Sequence, residues 1–197
     1  MKKLFGSIIL LTISLTNINS AFSISPDVFI QSTVNRASLI LSKDISKDDK
    51  MNQLKLIAKE TVDIGGIGFY SLGAARKDLD KDKKKTYSDL FEKYFLKSFA
   101  SRLAEYTNPE IEVKNKEVLS KNYTIVNSVL VSTSDRPEVN INWRVYTKNP
   151  ENPLIRDLII EGLSLARTQK EEFSSILSSN DGDINALFKV LEDFSKP

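Results

Sequence analysis

The residues predict an α+β fold in which helices pack on one face of a curved antiparallel sheet of about four strands. Three observations carry this. Apolar residues recur with helical period up to about Tyr106, with period two from Ile111 to Leu163, and with helical period again after Ser164. A run of helices followed by a run of strands argues for segregated layers rather than alternating βαβ units. No linker, internal repeat or low-complexity segment splits the 197 residues, whose 41% hydrophobic and 27% charged content is that of one globular domain. That domain is placed at residues 24–197.

Residues 1–23 read as a signal peptide. Lys2 and Lys3 precede the apolar run Leu4 to Leu15, and a small polar stretch follows. The run is too short to span a bilayer core comfortably, and an uncleaved N-terminal anchor is the alternative reading. Small residues in Ala21-Phe22-Ser23 place cleavage after Ser23, with cleavage after Ala21 as the alternative. Losing Lys2 and Lys3 from the 28 basic residues leaves 26 against 26 acidic ones. A neutral exported domain carries no electrostatic footprint for nucleic acid, so none is expected as a partner.

The elements follow in order. Ser25-Pro26-Asp27 offers a cap, a first-turn proline and an early acid, and Ile30, Val34, Ala37 and Leu41 then share one helical face. A second helix runs from Ser46 to Ile64 with Met51, Leu54, Ile57 and Ala58 inward. The glycine segment GGIGFYSLG reads as a short, loosely helical piece that serves close packing or mobility. After a polar break, a long helix spans about Asp82 to Tyr106, with an inner stripe of Tyr87, Phe91, Tyr94, Phe95, Phe99, Leu103 and Tyr106. Strands begin at Ile111, at Tyr123 (to Thr133), at Val139 (to Val145) and at Leu154 (to Leu163). Val139, Ile141, Trp143 and Val145 face one way, and Asn140, Asn142 and Arg144 the other. Helices over about 164–177 and 184–194 close the chain, the second capped by Asp183.

The chain has no histidine and no cysteine. That removes the Ser-His-Asp and Cys-His devices, thiolate metal sites and disulfides, and leaves only carboxylate or tyrosine catalysis open. No two carboxylates stand out as an acid–base pair. The glycine segment lacks the Lys-Ser/Thr of a phosphate loop, and Ser178 to Asp183 lacks the oxygen pattern of a calcium loop. Asn122-Tyr123-Thr124 is a glycosylation triplet in form only, because Tyr123 starts a strand. The run Lys81 to Lys85 reads as a solvated helix start, with a surface that meets acidic partners or anionic head groups as the alternative. No enzyme, metal or cofactor is therefore expected. Ten Phe, six Tyr and one Trp remain, and periodicity cannot distinguish a filled core from a core that holds a ligand.

Asp157 to Leu177, DLIIEGLSLARTQKEEFSSIL, adds a resemblance. Asp157, Ile160, Glu161, Gly162, Leu163, Ser164, Leu165, Glu172, Phe173 and Ile176 fall where the C-terminal signature of the MlaC family, the periplasmic phospholipid-binding or toluene-tolerance proteins, has like residues. Asp63, Leu72 and Gly73 are in register with that family's FDFxxMAxxVLG segment. The helix and strand entry from Phe91 to Val113 also resemble the family. The chain departs from it at Pro153, where members carry an aromatic, and after Gly73, where their Trp-Arg is missing.

The resemblance implies a monomeric periplasmic carrier, on a fold like those of the NTF2 and cystatin proteins. Phospholipid is its cargo, and no cofactor is needed. Its implied partners are an outer-membrane lipoprotein/porin complex and an inner-membrane ABC transporter with an MCE-domain subunit, in a system that maintains outer-membrane lipid asymmetry. Burying a methylene contributes about 0.8 kcal/mol, so one sixteen-carbon chain is worth roughly 12 kcal/mol out of water. The tails are then expected in a cavity near the upper end of the usual ~300–1,000 Å³ range. Its expected walls are Phe91, Tyr94, Phe95 and Phe99 of the long helix, Phe69 and Leu72 of the glycine segment, and Val129, Val131, Ile141, Trp143, Val145, Leu158 and Ile160 of the sheet. The glycine segment is the expected moving part. Glu161 is expected to bond backbone or arginine rather than to catalyse. The competing readings are an exported module that binds protein around a solid core, and a secreted enzyme that uses carboxylates or tyrosine.

Overall fold

The computed structural model describes residues 23–196, so the signal peptide read over residues 1–23 lies, apart from Ser23, outside the described residues. The chain forms α1 (Pro26–Leu41), α2 (Lys47–Thr61), α3 (Ile64–Ser71), a 3-10 turn (Ala75–Lys77) and α4 (Lys81–Leu103). Strands β1 (Ile111–Ser120), β2 (Tyr123–Leu130), β3 (Val139–Tyr146), β4 (Leu154–Ile160) and β5 (Leu163–Ser164) follow, and then α5 (Leu165–Ser178) and α6 (Ile184–Ser195). The sheet is an antiparallel meander in the order β1-β2-β3-β4-β5. The α+β class is as expected, with five strands instead of about four. The extra strand, β5, has two residues, too few to show a period.

Local chemistry explains the helix starts. The side chains of Ser46, Asp63, Asp80, Ser164 and Asp183 each accept a backbone N–H from the first turn of α2, α3, α4, α5 and α6 respectively. Ser25 is the exception. It stands at the start of α1 but makes no side-chain cap, because its hydroxyl donates to the Asp27 carboxylate instead.

Strand β4 turns into β5 through Glu161 and Gly162, whose φ values of 48° and 82° are the left-handed pair of a tight type I′ hairpin. Glycine tolerates that region freely. Glutamate does not, and its carboxylate accepts the backbone N–H of Asn140. Glu161 thus bonds backbone, as expected, and ties the turn to β3.

The sheet bends at three irregularities: Val113/Asn115 and Val118/Ser120 in β1, and Arg156-Asp157 in β4, which together face Arg144. Gln31 of α1 guards the free edge of β1. Its side chain accepts the N–H of Val113 at 3.2 Å and donates to the carbonyl of Ile111 at 3.4 Å, as a neighbouring strand would. On the opposite side, Val62 pairs parallel with Ile155 and the Asp63 N–H donates to the Ile155 carbonyl at 2.9 Å. Helix α1 packs on β1 and β2, and α3 and α5 pack on β4, whereas the close backbone neighbours of α4 are α2, α3 and α6. The side chains of α4 therefore fill the space above the middle of the sheet.

Candidate functional site

Helix α4 carries Tyr87, Phe91, Phe95 and Phe99 at four-residue spacing, which sets them one above another on the helix. Successive ring centres are 5.7, 6.0 and 5.7 Å apart, so the four rings form a continuous ladder. Three such steps cover about 18 Å. Phe173 of α5 meets Tyr87 and Phe91 edge-on, with ring planes at 87° and 89°. Gly68 of α3 lies directly against Phe91, and a Cβ there would stand 2.7 Å from the ring. The Tyr87 hydroxyl donates to the Gly68 carbonyl at 2.9 Å. Burial, with Tyr94 beside it, pushes the Tyr87 phenol far above its ordinary range, so it stays a neutral donor. Burial also raises Tyr94, which donates to Gln169 at 2.9 Å and packs on Phe194 with ring centres 4.8 Å apart.

The facing wall is one side of the sheet. The strand register puts Val126, Ser128 and Leu130 beside Trp143, Ile141 and Val139 on a common face, with Leu158 and Ile160 continuing it on β4. Two polar groups on this face satisfy each other. Trp143 Nε1 donates to the Ser128 hydroxyl at 2.8 Å, and that hydroxyl donates to the Ile141 carbonyl at 2.9 Å.

Burial varies along both walls, and at the Val139 end its partner Leu130 is still buried. Tyr87 and Phe91 are 1% and 2% exposed, Phe95 and Phe99 are half-buried, and Tyr106 beyond them is exposed. On the sheet, Val145 and Ile155 are buried, whereas Val139, Leu158 and Ile160 are half-buried. The two half-buried ends coincide, because the Arg136 guanidinium of the β2–β3 turn lies 5.6 Å from the Tyr106 ring centre at the end of α4. Half-buried Ile111 and Val113 flank the same end. The result is a packed apolar layer, buried at Tyr87 and Val145 and half-buried at Phe99 and Val139. The buried end of the sheet is pinned from its other face. There Arg156 donates to Asp63 at 2.5 Å and to the Tyr123 hydroxyl at 2.6 Å, and stacks 3.6 Å from the Tyr146 ring centre.

The structure brings Leu72, Phe91, Ile141, Trp143 and Val145 into one buried cluster, with Tyr94, Phe95, Phe99 and Leu158 packed against it. Ile160 lies on the same sheet face, paired with Ile141. Three expected wall residues do not join them. Val129 pairs with Asn140 and so occupies the opposite face of the sheet, and Val131 lies beyond the end of β2, outside the buried cluster. Phe69 points outward from α3 and is 38% exposed. Strand β2 is apolar on both faces, Ile125 and Val129 against Val126 and Leu130, so its alternation could not show which set faces the helices. The expected wide cavity is closed here by side chains. Two clefts of about 430 and 440 Å³ indent the surface instead, one between α1 and the start of β1, the other beside Asp63, and no aromatic of α4 lines either. The glycine segment serves close packing, since Gly68 abuts Phe91 and Gly66 abuts the Asp63 carboxylate.

Sequence reasoning gave no role to Asp157, although it opens the quoted motif. Its side chain is buried where β4 bulges, and accepts the Ser164 hydroxyl at 2.7 Å and the Ala166 N–H at 3.0 Å. It locks the start of α5 to the sheet. The motif residues from Asp157 to Ser164 thus build a joint in the fold rather than touch the aromatic ladder.

A meander sheet roofed by an aromatic helix, with one apolar layer packed between them, defines an open-sheet α+β protein. The family model described as MlaC protein matches residues 31–193, and the chain belongs to that family. No curated protein matches it in sequence. Among solved structures it is similar to the phospholipid-binding protein from Ralstonia solanacearum, solved in complex with a phospholipid. That similarity has a TM-score of 0.73 at 17% identity and covers 87% of this chain and 97% of the other.

Proposed function

We propose that this protein is a non-catalytic phospholipid carrier of the periplasm, which takes lipid between an outer-membrane lipoprotein/porin complex and an inner-membrane ABC transporter with an MCE-domain subunit. The observation that carries this is the apolar layer between the aromatic ladder and the inner sheet face, half-buried at Phe95, Phe99, Val139, Leu158 and Ile160. Family membership supports the reading, as does the fold shared with a structure solved around a phospholipid. Acyl chains would enter at the half-buried end and part Phe95 and Phe99 from Val139, Leu158 and Ile160. Burial of the tails supplies the affinity, and the head group stays in water. Bound lipid is cargo, and the chemistry needs no acid or base.

The test is native mass spectrometry of the mature protein purified from a bacterial periplasm, followed by lipid extraction. Close to one equivalent of phospholipid is expected. Clean apo protein that also takes no lipid from vesicles would overturn the proposal in favour of a protein-binding module.

A further inference from the structure

The outer side of α3 and its neighbours make a face with a chemistry of its own. Helix α3 buries Ile67, Gly68 and Ser71 and turns Phe69 and Tyr70 outward, where they are 38% and 42% exposed. Two cations stand at these rings. Arg76 donates to the Phe69 carbonyl at 3.4 Å, and the Lys170 ammonium of α5 lies 5.3 Å from the Tyr70 ring centre. Lys77 follows Arg76 in the 3-10 turn, and Arg167 stands one turn before Lys170 on α5. Among the described residues none of these four cations makes an ion pair, so their charge is free to meet an anionic surface. Asp78 and Glu171 are the acids beside them in sequence, and neither comes within pairing distance.

We propose that Phe69, Tyr70, Arg76, Lys77, Arg167 and Lys170 form a docking face for an anionic lipid bilayer surface. Amphipathic rings favour the head-group layer, where an apolar body and a polar or wet edge are both accommodated, and unpaired cations around them are drawn to anionic head groups. Two exposed rings alone would hold the protein weakly and without regard to lipid charge. Four cations alone would give attraction that salt removes. Together they give charge-selective binding with partial insertion. The inner side of α3 rests on Phe91, so the face backs onto the apolar layer. Its use in lipid transfer rests on the carrier reading, but the docking itself does not.

The experiment is flotation of the mature protein with vesicles of phosphatidylcholine alone and of phosphatidylcholine with phosphatidylglycerol, in low and physiological salt, with bound cargo read by native mass spectrometry on the same samples. Binding to the anionic vesicles only, weakened by salt, is expected. Each of Arg76→Gln, Lys77→Gln, Arg167→Gln and Lys170→Gln should weaken it about fivefold. Phe69→Ser/Tyr70→Ser should abolish retention at physiological salt, and Lys121→Gln/Lys148→Gln on another surface should leave binding intact. Absence of binding, equal binding to both vesicle types, or an equal loss from the Lys121/Lys148 variant would each overturn the docking face. Cargo in a protein that does not float would leave the carrier reading standing, and docking by a protein without cargo would leave the docking face standing.

Discussion

The buried carboxylate of Asp157 accepts the backbone N–H of Ala166 at 3.0 Å, joining the bulge of β4 to the first turn of α5. The same carboxylate takes the Ser164 hydroxyl, and Ser164 in turn accepts the Arg167 N–H at 3.1 Å. Removing it strands a buried donor and loosens the cap. Asp157→Ala is expected to lower stability by about 2–4 kcal/mol, read as a fall in the urea midpoint with unchanged slope. A change under about 0.5 kcal/mol would count against the joint.

Gly68→Ala tests close packing against mobility in the glycine segment. The added methyl meets the Phe91 ring at 2.7 Å, so α3 or the ladder must shift, at a cost of about 1–3 kcal/mol. If the glycine is there for mobility alone, alanine should stabilise the helix instead, since it is the better helix former.

Tyr87→Phe keeps the ring and removes the hydroxyl that meets the Gly68 carbonyl. The buried carbonyl loses its side-chain donor, and a loss of about 1 kcal/mol is expected in thermal or urea unfolding.

Phe99→Asp places a charge at the half-buried end of the apolar layer. Because Phe99 is half-buried, the fold should survive, as circular dichroism would show, while copurified phospholipid falls at least several-fold. The same change at an exposed apolar position such as Leu56 should leave the lipid in place.

Acid should loosen the start of α1. Lys116, which donates to Asp27 at 2.7 Å, and the Ser25 hydroxyl hold the Asp27 carboxyl at about 2, below its ordinary 3.8. A pKa lowered by folding contributes stability that is present above pH 3.8 and lost as pH falls through about 2. The pair is partly solvent-exposed, so the effect is small. Lys116→Gln should flatten that part of the acid unfolding curve, and an identical curve would contradict the pairing.

Much of this arrangement is legible in the residues. Helix α4 shows itself through the four-residue spacing of its aromatics, and β3 through Val139, Ile141, Trp143 and Val145, because each element meets the core along one regular stripe. Legibility fails where two surfaces are apolar at once. Strand β2 hides its inner face, which is why Val129 falls on the wrong side. Helix α3 is too short for a period to separate outward Phe69 from inward Ile67. Ser25 has the residue type of a cap, but Asp27 and Lys116 compete for its hydroxyl. The role of Asp157 depends on a bulge and on a helix start nine residues later, and no local pattern encodes either.

The meander connectivity also bears on how the molecule assembles. Every strand pairs with its neighbour in the chain, so the sheet can zip up hairpin by hairpin without closing a long loop. The helices before it close only a small core of their own, from Ile40, Leu41, Leu54, Ile57 and Ala100 of α1, α2 and α4. Tyr87, Phe91, Ile30 and Val34 are covered only when residues from β1 onward and α5 arrive. As the chain emerges from its N-terminus, the apolar side chains that face the sheet stay uncovered until β4 and Phe173 appear, and that interval is when the nascent protein is most exposed to aggregation.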